Sequence, residues 1–336
     1  MQNKTKSQRL IWIDIMMTLL TLAVMNFFYC GVRAIVLGLI CMAVSFVSDI
    51  ISLRLMHRRF TSDDLTCISD SLILYLMLPA IMDYRIAAIA CVFATVAAKN
   101  VFGGRKNMIF SPAAAGYVFL FTSWKGNLLM YSQPHVHPDI FERAENLVNS
   151  ASSMFNTTGR LNYNDFEILM GNVPGAVGTV SILLLAVSAI ILLLRRDISV
   201  GAFFGTILGT AIFAFLVPVS TNPVDSLKYT LSMNMVLFSA IYIISDKRIA
   251  PRRNYYAFFY GFFIALFSYI LVITTAKENA IVIVSLLFTP VALGFRNLEK
   301  RIDGLVKEEK QAEELWEAIK SGEYEIPEAE EAVYDE

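Results

Sequence analysis

The chain has 336 residues, 56% of them apolar and only 17% charged, with a mean hydropathy of +0.56. A water-soluble chain of this length is not so apolar, so lipid is its solvent. The formal net charge of −1 excludes an overall basic field that would hold nucleic acid, and the charges that exist must be read by position.

Spanning the hydrocarbon takes roughly 20 apolar residues as helix. Ten candidate spans follow in order: Ile11–Phe28, Val32–Leu53, Ile68–Met82, Ile86–Ala98, Ile109–Trp124, Gly178–Leu194, Val200–Val217, Tyr229–Ile244, Tyr255–Thr274 and Ala280–Phe295. The expected fold is an all-α polytopic membrane protein. The first run has no small-residue cleavage pattern and reads as a retained span. The third to fifth are short, and Pro79 and Pro112 interrupt two of them, the second by removing a donor and breaking its helix. Cys30, Cys41, Cys67 and Cys91 form no CxxC or CxxCH pattern and read as packing residues rather than iron–sulfur or haem ligands.

Lysines and arginines in short loops stay on the cytoplasmic side. With the N-terminus inside, eighteen positive residues fall in cytoplasmic segments, seven outside and three in the C-terminal tail. Ten spans with both termini inside agree with that asymmetry. The predicted organisation is a first membrane half over 1–124, an external loop region over 125–177, a second membrane half over 178–296 and a charged cytoplasmic tail over 297–336. Five spans on each side of the loop set the halves in opposite orientations, which is compatible with two inverted five-helix repeats. No sequence similarity between the halves is evident.

The loop from Lys125 to Gly175 is long for a structureless connection and reads as functional. His135, His137 and Asp139 lie close along it, but two imidazoles are weak evidence for a metal, and a loop without one is expected. The tail reads as a charged helix that gives way to an acidic disordered end. Within or beside the spans, Asp14, Asp49, Asp70 and Lys99 are ionisable and therefore of functional interest. Asp14 is expected to reach water at the interface, and Asp49 to pair with Arg54 one turn on.

The most specific string is KNVFGGRKNMIFSPAAAGYVFLF, Lys99 to Phe121. Gly103 and Gly104 permit a sharp bend, Arg105 and Lys106 supply charge, Asn107 can bond freed backbone groups, and Ala113 to Gly116 permit close helix approach. It resembles the D subunit of the Rnf ion-translocating electron-transport complex and the B subunit of the sodium-pumping NADH:quinone oxidoreductase. The matching residues are Lys99, Phe102-Gly103-Gly104, Asn107, Phe110-Ser111-Pro112-Ala113 and Gly116, with Ser111 where asparagine is usual. Further matches are Ser69-Asp70-Ser71, Gly171 to Gly175, Gly178 to Ser181 and Ser245-Asp246.

The resemblance implies a membrane subunit of an Rnf-type complex in the bacterial cytoplasmic membrane, with further membrane and peripheral subunits as partners. Such a subunit couples electron transfer to Na⁺ or H⁺ movement and is not an enzyme on its own. FMN or riboflavin is the implied cofactor, FMN being held in the family by a phosphoester to the last threonine of a Ser/Thr-Gly-Ala-Thr sequence. Here Asn149 to Phe155, NSASSMF, stands on that motif, and Phe155 at the acceptor position has no hydroxyl. Thr157 and Thr158 could accept only if the alignment slips; with Asn107, Ser111 and Asp246 they are the candidate cofactor residues. Thr179 replaces the usual glutamate and Lys247 the usual proline. A degenerate structural paralogue and a stand-alone secondary transporter with inverted repeats are the alternatives.

Overall fold

The computed structural model describes residues 8–58, 65–102, 104, 108–137, 139–140 and 147–321. It forms two compact units, Met1–Leu293 and Gly294–Glu336. Helix occupies part of every one of the ten apolar segments, and the extended pairing among the described residues is one isolated bridge between Tyr131 and Val148. Four helical stretches are individually long and apolar enough to cross a membrane, and up to six if each bent pair of helices counts as one span.

The first unit opens with α1 (Gln8–Cys30) and α2 (Val32–Leu55), joined through Gly31 alone. Its φ of 75° is left-handed, and a Cβ there would lie 2.9 Å from Nδ1 of His137, so a side chain is excluded by conformation and by space. α3 (Thr66–Met77) is buried along most of its length. Pro79 ends it short of the expected Met82, because the residue before a proline is driven into the extended region and Leu78 adopts ψ 153°. α4 (Tyr84–Val92) is capped by Asp83 and passes into π-helical turns over Phe93–Val101.

α5 (Pro112–Ser123) corrects the expectation that Pro112 breaks a helix. The proline opens this one, where its missing N–H leaves no bond unmade, and Ser111 caps it by accepting from the Ala114 N–H. Its backbone comes close to neighbouring elements at Gly116, where a Cβ would meet Leu74 and Ala94.

The long connection carries its own short helices: α6 (Lys125–Leu128), α7 (Ala151–Thr158), α8 (Asp165–Met170) and α9 (Val177–Val180). α7 ends at Gly159 in the left-handed region, and α8 begins with a capping box between Asn164 and Glu167. Ala151, Phe155, Ile168, Val173, Val180 and Met233 close a separate apolar cluster beneath them.

The second half contains α10 (Ile182–Leu194), α11 (Val200–Leu216), α12 (Pro223–Ser232), α13 (Val236–Ser239) with π-helical turns over Ala240–Ile244, α14 (Asn254–Thr275) and α15 (Ala280–Leu287). Gly201, Gly205 and Gly209 line one face of α11 at four-residue spacing. A Cβ at the first two would overlap the carbonyl oxygens of Asn254 and Phe258 on α14, and Gly261 answers from the other side against Ala202. Backbones at this distance gain the dispersion and packing that hold helices together where lipid supplies no hydrophobic drive. The α12–α13 pair is bent by 51° at a break where Asn234 and Met235 both have φ 56°. Large side chains left exposed, among them Met17, Phe28, Leu39, Ile190, Phe215 and Phe267, face outward from spans and suit contact with acyl chains.

The second unit is made chiefly by α16 (Thr289–Ser321), whose later residues are strongly charged. The acidic end over 322–336, expected to be disordered, lies outside the described residues.

Candidate functional site

The ionisable residues of the spans meet at the end of the bundle that carries the basic loops. Asp49, near the end of α2, is fully buried. It accepts from Lys99 Nζ at 3.0 Å and from Asn100 Nδ2 at 2.9 Å, so its partner is Lys99 and not the expected Arg54, which is exposed. Lys99 and Asn100 are adjacent in the π-helical turns, and both reach the one carboxylate. Such widened turns are frequent at functional sites. All three residues are nearly solvent-free, and breaking a buried pair leaves an uncompensated charge.

A second ionic group links α3 to the loop after the second π-helical segment. Arg248, in the loop after the second π-helical segment, donates through its two Nη atoms to Asp70 of α3 at 3.1 and 2.5 Å, and through Nε to Asp246 at 2.7 and 3.1 Å. A guanidinium held by two carboxylates in fork geometry is rigid and directional. Asp14 makes another link between distant parts of the chain, from α1 to the end of α10. It is 8% exposed and pairs with Arg195, at the end of α10, instead of reaching water. Arg248 was absent from the sequence expectations because its partner Asp70 lies far away along the chain.

The candidate cofactor residues are not brought together. Ser111 is used as the cap of α5 and Asp246 as a partner of Arg248. Asn107, with Arg105 and Lys106, lies outside the described residues. Phe155 is fully buried and packs edge-on against Tyr229 at 5.2 Å, inside the apolar cluster under the loop helices. Thr157 and Thr158 are exposed on α7, and their hydroxyls donate to the carbonyl oxygens of Ser153 and Met154 on their own helix. Phe155 is a hydrocarbon ring in an apolar cluster, and the hydroxyls of Thr157 and Thr158 turn back onto helix backbone. These residues do not fit a covalently held flavin.

His135 stacks edge-on against Tyr29 at 5.3 Å, and His137 closes over Gly31. Among the described residues no group of three or more histidine, cysteine, aspartate or glutamate side chains is placed to hold a metal. The four cysteines are buried and free.

Comparison with known proteins places this arrangement. Over 199 residues the chain is 25% identical to the B subunit of the Na(+)-translocating NADH-quinone reductase of Yersinia pestis, covering 57% of this chain and 48% of that one. Over 244 residues it is 25% identical to the corresponding protein of Chromohalobacter salexigens, covering 69% and 59%. Over 121 residues it is 31% identical to the D subunit of the ion-translocating oxidoreductase complex of Shewanella sediminis, covering 33% and 34%. The chain spans about half the length of the first of these relatives. The NQR2, RnfD, RnfE family matches residues 1–293, the extent of the first compact unit, and the chain belongs to that family.

Proposed function

We propose that this chain is a membrane subunit of an Rnf-type, redox-driven ion-translocating complex and acts there without a covalently attached flavin. The family match over the whole of the first unit carries the reading. It is supported by relatives named as subunits of ion-translocating oxidoreductases and by the ionic links from α1 and α3 to residues that follow the long connection. In this reading the chain supplies the membrane scaffold through which electron transfer in neighbouring subunits is coupled to movement of Na⁺ or H⁺. Ten spans in two inverted halves, with both termini in the cytoplasm, are the topology that goes with it. Flavin, where it serves the complex through this chain, is held non-covalently.

A purely structural role in the same assembly is the second reading, and the burial of Phe155 at the acceptor position is what favours it. Affinity purification of the chain from its native membrane distinguishes both from a stand-alone transporter. Recovery with several membrane and peripheral subunits, and ion movement that depends on them, is expected. Ion transport by the chain reconstituted alone would overturn the proposal. Redox-driven transport that survives replacement of Asp49 or Asp70 by asparagine in a folded complex would remove those residues from the coupling path.

A further inference from the structure

α16 runs from Thr289 to Ser321, and the family match stops at residue 293, so nearly all of this helix lies beyond the part shared with relatives. From Leu298 onward its apolar residues recur at alternating steps of four and three. Leu298, Ile302, Leu305, Ala312, Trp316 and Ile319 fall on that register, and Glu309 takes the position between Leu305 and Ala312. Such steps put side chains on one seam of a helix, and a seam of about three heptads is what a second helix packs against. Here the seam is open. Leu305 and Trp316 are each 64% exposed, and the exposed Leu298 and Val306 extend the stripe.

Lipid does not account for this exposure. The spans turn Phe28, Ile190 and Phe215 outward from long uncharged stretches, whereas Lys300, Arg301, Lys307, Lys310 and the glutamates of α16 rule out the hydrocarbon. A helix lying in the headgroup layer carries lysine and arginine on its polar face and is drawn to anionic lipid. In α16 Glu308 and Glu313 flank the stripe and Glu309 sits inside it, while Lys307 and Lys310 fall on the opposite side of the helix.

A second copy of the chain fits no better. In a parallel pair Glu309 meets itself in the seam and Glu308 faces Glu313 of the other copy. In a fully overlapped antiparallel pair the same turn, midway along the seam, again meets itself. Either way carboxylates crowd at the centre of the contact. All three glutamates are exposed, and among the described residues none of them is held in an ion pair. A polar residue at one seam position selects the partner and its register, and the flanking charges select its sign. A helix with lysine or arginine opposite Glu309 and beside Glu308 and Glu313 satisfies all three carboxylates and covers the apolar stripe.

We propose that residues 298–319 of α16 form a docking seam for a basic amphipathic helix of another protein. The apolar positions supply the contact, and the turn with Glu308, Glu309 and Glu313 fixes the register and admits a basic partner over a second copy. That the partner is a subunit of the same complex rests on the functional reading above; the seam itself does not.

A photoreactive benzophenone side chain is introduced at the Leu305 position, on the seam, or at the Lys307 position, on the far side, of the full chain in its native membrane. After illumination the crosslinked peptides are mapped by mass spectrometry. The expected crosslink forms from the Leu305 position and far less from the Lys307 position. It joins a peptide with apolar residues at the same alternating steps and lysine or arginine where Glu309 meets it. Combining Glu308→Lys, Glu309→Lys and Glu313→Lys leaves the fold intact, because the three are exposed, and lowers that crosslink roughly tenfold. Crosslinks from the Leu305 position to lipid, to a second copy, to a peptide without basic residues or to nothing overturn the proposal, as does a crosslink that charge reversal leaves unchanged. A basic helix from a protein outside the purified complex upholds the seam and counts against the functional reading. A complex that purifies intact without this crosslink sinks the seam alone.

Discussion

The two ends of the membrane unit handle buried charge in opposite ways. At the basic-loop end three buried carboxylates are held by a cation: Asp49 by Lys99, Asp70 by Arg248, and Asp14 by Arg195. At the loop end Glu278 has hydroxyls around it and no cation among the described residues. The first end ties helices that precede the long connection to residues that follow it. At the second, burial favours the neutral carboxyl, and only hydroxyls bond it. Paired charge builds a scaffold, and a carboxyl bonded only by hydroxyls is left to titrate.

The contrast breaks most severely at Arg248, which serves two carboxylates. Arg248→Met strands Asp70 and Asp246 and is expected to destabilise the fold by about 5 kcal/mol, the upper end for removing one partner of a buried pair. Loss of folded protein on size-exclusion chromatography would report it, and a stability near wild type would show that the link is not structural. Lys99→Met should cost about 3 kcal/mol in the same assay by leaving Asp49 unpaired. Adding Asp49→Asn should recover much of that loss, because the second change removes the stranded charge. Failure of the double variant to recover would mean that the pair does more than cancel charge.

At the other end the sign reverses. Glu278 has a folded-state pKa raised above its ordinary 4.5, so the fold prefers the protonated form. Its contribution to stability is fully present below pH 4.5 and is lost as pH rises through the raised value. Glu278→Gln should therefore flatten that decline and gain stability at neutral pH, where Lys99→Met loses it. A decline that persists unchanged in Glu278→Gln assigns the titration to another group. The smallest effect is expected at the exposed hydroxyls of α7: Thr157→Val and Thr158→Val should each change stability by less than about 0.5 kcal/mol.

The apolar runs made the helical segments legible in sequence, since lipid demands long uncharged stretches and the chain has them. Where helices stop was less legible. Pro112 and Pro79 are chemically alike, yet one opens a helix and the other ends one, depending on which side the apolar run continues. The partners of charges were largely out of reach. Asp49 has Arg54 nearby in sequence, but its actual partner arrives from a π-helical segment fifty residues away, and nothing local marks those turns.

Other features had a signal that went unused. Gly201, Gly205 and Gly209 are a visible small-residue ladder, and they set the closest helix contact of the second half. Glu278 sits in a short turn where an acidic residue looks solvent-exposed; only the fold shows that it is buried against Tyr131. At the loop, the sequence alone showed that Phe155 lacks a hydroxyl. The structure adds that its ring is enclosed by the apolar residues beneath α7 and α8.

The central claim is that the chain carries no covalent flavin at the loop end. Its most direct test is peptide mass mapping of Asn149 to Arg160, with the chain produced alongside its native neighbours and a flavin transferase. The account predicts that these peptides are recovered unmodified and that the denatured protein shows no flavin fluorescence. An FMN mass on Thr157 or Thr158 would contradict it and return the loop to electron transfer.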